Sequence, residues 1–322
     1  MRTHLEHGIA HVECDSPDEA LNALSTRNPL WAESRHRWCF RGQDNDEYRL
    51  IPSALRSDPP AQLGYTHKPE VGVQLTNGAQ VWAEMRRLHE FYWTADHQGL
   101  VIPEDSQVLR TPEGWRRVEG KMKDIGWPMD DVLSLLAAAQ HYGVATRLLD
   151  WSDRPLVAAY FACKTAAAAA QANRRTGGKL SVWALDLDWV IYEGWPFGGP
   201  LRVYVVTAPR AWNTNLNAQG GLFTTDQIAA ADFSKKVLIE PVDQLVSDKV
   251  GDSSKPRMLH VTLDVCHAGA LLRLLHVEGV NAATVYPGFQ GVAEALRERR
   301  LWDRTDRAIH WLFPFDYPYE ER

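Results

Sequence analysis

Residues 137–162, AAAQHYGVATRLLDWSDRPLVAAYFA, decide the fold of this 322-residue chain. They begin with the end of an apolar helix, which Gly143 terminates because glycine readily adopts the left-handed conformation of a C-terminal cap. Residues 146–151 then predict a short buried strand. Ser152 is a candidate N-cap, and Pro155 suits the first turn of the helix that follows. The segment therefore predicts helix, strand and helix in succession, and the second helix is expected to be buried because nearly all its side chains are apolar.

Polar side chains interrupt this apolar frame at the predicted element ends. Arg147 and Asp150 lie beside elements that are expected to be buried, where an isolated charge is costly. We therefore expect the two to pair with each other, either as a structural ion pair or as part of a site. His141, Tyr142 and Ser152 flank them.

Composition and charge describe a folded protein with a substantial core. The net charge of −6 gives no overall basic surface, so nonspecific nucleic-acid binding is not indicated, although a local basic groove stays open. The N-terminus lacks a signal-peptide pattern and no apolar run is long enough for a bilayer. We expect a cytoplasmic protein that does not bind membranes.

The four cysteines are far apart in sequence and form no cluster with metal-ligand spacing. No zinc site, and no metal of any kind, is therefore expected. Cys39, Cys163 and Cys266 each lie in an apolar setting, which is typical of core residues.

Apolar periodicity along the rest of the chain predicts an α+β fold with one mixed or antiparallel sheet and a helical N-terminal half. The sequence has no GxGxxG, Walker or GxSxG motif. The predicted helices are residues 19–24, 79–93, 129–142, 155–170, 268–277 and 291–302. The predicted strands are residues 9–13, 37–41, 146–151, 180–187, 201–207, 237–241, 258–265 and 280–286, with a further strand at the end of 218–225, and residues 193–200 are predicted to be a loop.

Several blocks of the sequence resemble the FRG domain, a family named for its Phe-Arg-Gly motif. They are WCFRGQ (38–43), YRLIPSALR (48–56), the segment 139–162, AQGGLFT (218–224) and VYPGFQGVAEAL (285–296). The resemblance implies a domain over residues 35–300 with a helical insertion at about 57–130. An N-terminal strand and helix (1–34) would precede it, and a tail (301–322) would pack on it.

The order of these blocks is also similar to that of the arginine–serine–glutamate class of ADP-ribosyltransferases. Phe40-Arg41-Gly42 matches the first block of that class, residues 149–152 match the second, and Gln219 lies in the turn that matches the third. This resemblance implies an ADP-ribosyltransferase-like sheet, NAD as the substrate and a macromolecular acceptor.

The resemblance also implies roles for individual residues. Arg41, beside Gly42, would bind the NAD pyrophosphate through its planar, permanently charged fork. Ser152 would brace the site or bond the nicotinamide ribose, and Tyr142 would stack on nicotinamide. His141 would act as a base toward the acceptor. The catalytic residues are then predicted to be Gln219, His141 and Asp150, and the NAD-binding residues Arg41, Gly42, Gln43, Tyr142, Thr146, Arg147 and Ser152.

The chain departs from the transferase pattern because Gln219 stands where a glutamate is usual and no glutamate follows two residues later. Asp150 or Asp226 is a candidate replacement. Two hypotheses follow. The first is an NAD-consuming transferase, a toxin or anti-phage effector that modifies a nucleic-acid base or a protein. The second is a noncatalytic nucleotide-binding or structural module, in which Arg41, Arg147 and Asp150 form a buried polar network.

One geometric criterion separates these hypotheses. If Arg41, Ser152 and Gln219 lie beyond the reach of one bound dinucleotide, the transferase hypothesis fails. A third hypothesis, nuclease or other phosphoryl chemistry, is disfavoured because the sequence lacks a paired-carboxylate metal motif.

Overall fold

The computed structural model describes residues 1–25, 27–29, 37–56, 75–175, 177–194, 201–210, 213–237, 239–253 and 255–302. Its strands are β1 (Arg2–Glu6), β2 (Ile9–Cys14), β3 (Trp38–Gln43), β4 (Leu149–Ser152), β5 (Lys179–Asp186), β6 (Tyr204–Val206), β7 (Gly221–Thr225) and β8 (Met258–Asp264). Its helices are α1 (Pro17–Leu24), α2 (Asn77–His97), α3 (Pro112–Ile125), α4 (Leu133–His141), α5 (Pro155–Gln171), α6 (Leu187–Gly194), α7 (Thr214–Ala218), α8 (Val242–Val250), α9 (Ala268–Val277), α10 (Ala282–Val285) and α11 (Phe289–Glu298).

The described strands form one mixed eight-stranded sheet in the order β1-β2-β8-β5-β3-β4-β7-β6. Neighbouring strands are antiparallel except for β2 and β8, which are parallel. The predicted α+β class with a mixed sheet is therefore confirmed. The first half of the chain is not purely helical, because it supplies β1, β2, β3 and β4.

Helices cover both faces of the sheet. On one face, the apolar side of α5 packs with α1 and α9 on alternate residues of β2, β5 and β8, such as Val12, Val182 and Val261. On the other face, α6 and α8 cover Cys39 and Leu185. A third cluster joins α2, α3 and α4 to the β6–β7 end of the sheet. The alternation of buried faces follows from the two-residue period of a strand.

Helix α5 lies unusually close to β3. A Cβ atom at Gly42 would be 1.9 Å from the carbonyl oxygen of Ala158, so only glycine fits at this strand position. The predicted strand ends at residue 41, but β3 continues through Gly42 to Gln43. Gly42 therefore allows the close contact between β3 and α5.

The deciding segment folds largely as its sequence predicts. Helix α4 ends at His141, and Gly143 has a φ of +84°. The strand is shorter than expected because it begins at Leu149. Ser152 is not the N-cap of α5. That position belongs to Arg154, whose backbone N–H donates to the Ser152 hydroxyl at 2.9 Å.

Other predictions are wrong where local signals compete. Residues 280–286 form no strand, because Asn281 makes a capping box that starts α10. Among residues 237 and 239–241 no strand is present either, and position 238 is outside the described residues. The strand in 201–207 is limited to β6. The predictions omit β1, α3, α6, α7 and α8.

Some sequence predictions lie partly or wholly outside the described residues. They are the start of the helical insertion (57–74), most of the loop 193–200, and the tail beyond 302. The proposed domain boundaries stay predictions. Of the cysteines, Cys39 and Cys163 are buried as expected, whereas Cys266 is exposed because it lies in the turn that leads into α9.

Candidate functional site

A cleft of about 350 Å³ lies where β3, β4 and α5 meet the turn before β7. Six of the residues predicted from the sequence line it: Arg41, Gly42, His141, Asp150, Ser152 and Gln219. Arg41, Ser152 and Gln219 are thus close enough for one ligand to reach all three. The geometric criterion that would have excluded the transferase hypothesis is not met.

Strand pairing explains why residues distant in sequence meet here. Phe40 of β3 is opposite Ser152 of β4, and Ser152 is also opposite Gly221 of β7. The short strand β4 therefore lies between β3, which carries Arg41, and the turn before β7, which carries Gln219. A central position in the sheet brings all three blocks together.

Arg41 is the cation of the cleft. Its side chain is only 16% exposed, and its Nη1 donates to the backbone oxygen of Asp150 at 2.8 Å and lies 3.6 Å from the Asp150 carboxylate. Its buried Nε has no hydrogen-bond partner among the described residues. Burial lowers the pKa of Arg41, while Asp150 opposes this shift. The guanidinium remains charged, because an arginine is not deprotonated in proteins, and it retains donor capacity.

The Asp150 carboxylate is the anion beside Arg41. It accepts from Gln140 Nε2 at 2.8 Å, and Gln140 in turn accepts from the Thr146 hydroxyl at 2.8 Å. The Asp150 side chain is half exposed to solvent. Thr146 is therefore buried behind the site and orients the carboxylate through Gln140, whereas Asp150 itself is open to a ligand.

Ser152 connects β4 to the Gln219 turn. Its hydroxyl donates to the backbone oxygen of Gln219 at 2.6 Å and accepts from the Arg154 N–H. The Gln219 side chain lies 3.4 Å from the carbonyl oxygen of Val285, to which its Nε2 donates. Both hydrogen bonds fix the turn in place, so Ser152 acts as a brace in this structure.

His141 and several aromatic residues complete the cleft. His141 is partly buried at the end of α4, and burial lowers its pKa, with Asp150 opposing. Phe40, Phe161 and Tyr286 also line the cleft, and the last two meet edge to face at 6.3 Å. These rings offer apolar surface to a planar ligand.

Besides Arg147, three residues predicted to bind NAD do not line this cleft. Gln43 is buried and accepts from Trp183 Nε1 at 3.0 Å. Tyr142 is 74% exposed on the surface. Thr146 is behind Gln140, as described above. Their side chains serve packing, lie in solvent, or support the site from behind.

Arg147 belongs to a separate buried cluster. It is 2% exposed and binds Glu84 at 2.9 Å and Asp226 at 3.1 Å. The expected pairing with Asp150 is wrong, and Asp226 is bound to Arg147 instead of lining the cleft. Burial opposes the charge of Arg147, but the two carboxylates more than offset it and raise its pKa. Trp127 Nε1 donates to the same Glu84.

The sequence prediction omits Gln140, Phe161 and Tyr286 as cleft residues. Gln140 stands beside His141 in the quoted motif, and Tyr286 belongs to the last resembling block. Their positions in these motifs could have identified them as candidate cleft residues. Which side of a helix faces a cleft depends on packing that no single segment specifies.

The fold and the site define an α+β protein in which the middle of a mixed sheet carries an arginine- and carboxylate-lined cleft. Residues 36–171 match the family model of the FRG domain, so this segment of the chain is similar to that family. The match contains every cleft residue named above except Gln219 and Tyr286. No curated protein and no solved structure shows significant similarity to the chain.

No helix among the described residues combines the length and the apolarity required to cross a bilayer.

Proposed function

We propose that this protein is an NAD-dependent ADP-ribosyltransferase-like enzyme and that the Arg41 cleft is its site. The observation that carries the proposal is the convergence of Arg41, Ser152 and Gln219 on one cleft. These residues stand in the three blocks that resemble the transferase class. The cleft volume of about 350 Å³ also falls within the usual range for ligand pockets, roughly 300–1,000 Å³.

Arg41 supports binding of a dinucleotide. Its position at the cleft and its Nε, which has no partner among the described residues, suit the pyrophosphate, since a guanidinium forms paired hydrogen bonds with phosphate oxygens. The aromatic rings of Phe161 and Tyr286 offer surface for a nicotinamide or adenine ring. Tyr142 is not assigned this stacking role, because its side chain lies outside the cleft.

The proposed reaction breaks the bond between the nicotinamide nitrogen and ribose C1′. The bonding electron pair leaves with neutral nicotinamide, and C1′ becomes oxocarbenium-like. A lone pair of the acceptor then bonds to C1′, and the acceptor proton passes to His141. Such a reaction depends chiefly on positioning and on groups that stabilise developing charge. The acceptor would be a nucleic-acid base or a protein, as expected of a toxin or anti-phage effector.

Asp150 is the residue we assign to the role of the usual glutamate. Its carboxylate is exposed in the cleft, and Gln140 and Arg41 hold it in place. In this role it would accept a hydrogen bond from a ribose hydroxyl and stabilise the positive charge at C1′. Gln219 would contribute from the opposite wall, through an amide that already lies in the braced turn.

A second candidate function is noncatalytic nucleotide binding. It is favoured by one observation: no glutamate is among the described residues that line the cleft. The buried network of Arg41, Arg147 and Asp150 that this hypothesis assumed is divided in the structure, because Arg147 belongs to the Glu84 cluster. A binding module would therefore depend on Arg41 and Asp150 alone.

The deciding experiment measures nicotinamide release from NAD by the purified full chain, alone and with DNA, RNA or cell extract. We expect release in at least one mixture, and we expect Arg41→Lys and Asp150→Asn to abolish it. Arg37→Ala is the matched control, because Arg37 lies just before the same strand and bonds Asp188 away from the cleft. This control should retain activity.

Two outcomes contradict the transferase proposal. In the first, the folded protein releases no nicotinamide in any mixture but binds NAD by calorimetry, and Arg41→Lys weakens that binding; this supports the binding module. In the second, NAD neither binds nor reacts, which rejects both candidates.

A further inference from the structure

The first hairpin of the chain, β1 and β2, places metal-binding side chains together at the edge of the sheet. Its two-residue turn consists of His7 and Gly8, with φ values of +43° and +74°. Positive φ at both positions is characteristic of the type I′ turn, which fixes the register of a hairpin. In this register Glu6 is opposite Ile9 and His4 is opposite His11.

The register brings three potential ligands to one surface. The His4 and His11 rings stack with centroids 4.8 Å apart and an interplanar angle of 11°. Glu6 is two residues after His4, so its side chain is on the same side of β1. One ligand atom from each of His4, Glu6 and His11 lies within 4.8 Å of the others. No other described group of three such residues has this geometry.

We propose that His4, Glu6 and His11 form a binding site for a divalent transition-metal ion, of which Zn²⁺ is the reference case. Two imidazoles and one carboxylate are a ligand set that Zn²⁺ uses in proteins, with a water at the remaining position. Imidazole also suits Cu²⁺ and Ni²⁺, whereas Mg²⁺ and Ca²⁺ prefer oxygen ligands.

The site can close around an ion without movement of the sheet. Zinc–ligand bonds of about 2.0–2.2 Å require the ligand atoms to approach more closely than 4.8 Å. His4 and Glu6 are exposed, so their side chains can rotate toward the ion. His11 is less free, because His260 meets its ring edge-on at 5.6 Å and Trp183 stacks on His260 at 3.9 Å. His11 therefore gives the site a fixed point.

A bound ion would fasten the outermost strand to the sheet. All five residues of β1 are exposed, and β1 is paired only with β2 in the described sheet. An ion that binds the folded state and not the unfolded chain stabilises the fold, so the melting temperature rises with the concentration of free ion. This role is independent of the NAD cleft and of the function proposed above.

The test is titration of the untagged full chain with Zn²⁺ by calorimetry, with Mg²⁺ as the comparison ion. Cobalt provides a second readout through its visible absorption. We expect one Zn²⁺ per chain and no Mg²⁺ binding. His4→Ala and Glu6→Gln should weaken Zn²⁺ binding at least about tenfold, since even outer-shell mutations commonly cost that much.

His7→Ala is the matched control. His7 belongs to the same hairpin but lies 3.1 Å from Asp252, outside the three-residue group. The His7→Ala variant should bind Zn²⁺ as the wild type does. The proposal is overturned if the wild type binds no stoichiometric Zn²⁺, if His4→Ala binds it unchanged, or if His7→Ala weakens it equally. Because His4 is exposed, we expect its variant to fold, which circular dichroism checks.

Discussion

Arg41, which is partly buried, and Arg147, which is fully buried, differ in how their charge is neutralised. Arg147 has two carboxylate partners, Glu84 and Asp226, and its hydrogen bonds are directed to them. Arg41 has one close backbone partner, a carboxylate at 3.6 Å, and an Nε without a partner among the described residues. The first arginine is therefore satisfied within the fold, whereas the second retains capacity for an anion.

The pairing of Arg147 within the fold predicts that its removal destabilises the protein. Arg147→Ala should lower the free energy of unfolding by about 3–5 kcal/mol, because Glu84 would stay buried without its partner. Urea denaturation measures this. Arg37→Ala removes an exposed pair with Asp188 and should change stability by no more than about 1 kcal/mol. Equal effects in the two variants would contradict the structural role of Arg147.

His141 gives the proposed reaction a pH dependence. Burial holds its pKa below the usual value of about 6.5, so the imidazole is neutral at pH 7 and can accept a proton. Nicotinamide release should be constant near neutral pH and fall as pH drops through this lowered pKa. The acid limb of the kcat/KM profile should disappear in His141→Gln, with a rate loss of about 10²- to 10⁴-fold.

His97→Gln is the control for that pH profile. The His97 ring forms a hydrogen bond with the Trp93 carbonyl oxygen within α2, away from the cleft. An NMR titration of His141 measures its pKa without relying on activity. A pKa at or above that of a free histidine, or an acid limb that persists in His141→Gln, would remove His141 from the role of base.

At the scale of elements, the contact between β3 and α5 holds the cleft in shape. Gly42→Ala should destabilise the protein by about 1–3 kcal/mol or more, because the new Cβ would meet the Ala158 carbonyl at 1.9 Å. Gly120→Ala is the matched control. Gly120 is inside α3 with no heavy atom within 4 Å of the new Cβ, so alanine should stabilise by roughly 0.5–1 kcal/mol. Thermal unfolding of both variants tests whether the two substitutions change the stability in opposite directions.

Elements with a strong local pattern could be predicted from the sequence. The alternation in β5 and β8, the capped helix α1 and the apolar α5 each depend on residues within the element itself. Residues 237–241 have an apolar pattern typical of a strand, but no neighbouring strand pairs with them among the described residues. Strand formation depends on such a partner, and the sequence of one segment does not specify it.

The candidate site could be predicted only in part, for the same reason. Arg41, Asp150 and Gln219 belong to blocks with recognisable motifs, and all three line the cleft. Arg147 belongs to the same motif as Asp150, but it lies outside the cleft, in the buried cluster with Glu84. Glu84 is supplied by α2, a helix in the predicted insertion. A buried arginine turns to the carboxylates that tertiary packing brings near it, and the choice between Asp150 and Glu84 depends on that packing.

At the scale of the whole molecule, the sheet interleaves distant parts of the chain. The parallel pair of β2 and β8 joins residues near the two ends of the described structure. The segment that matches the FRG domain, residues 36–171, supplies only β3 and β4, from the middle of the sheet. These two strands pair with each other only at Phe40 and Ser152.

This topology predicts that residues 36–171 do not fold as an isolated fragment. Strand β3 pairs along its whole length with β5, and β4 pairs along its length with β7, so the fragment loses both partners. Helix α5 also loses Val182, Val261 and Leu271 from its apolar surroundings. We expect the fragment to show no cooperative melting transition and no near-ultraviolet circular dichroism, whereas the full chain shows both. A fragment that melts cooperatively would mean that β3 and β4 need no partners from the rest of the chain.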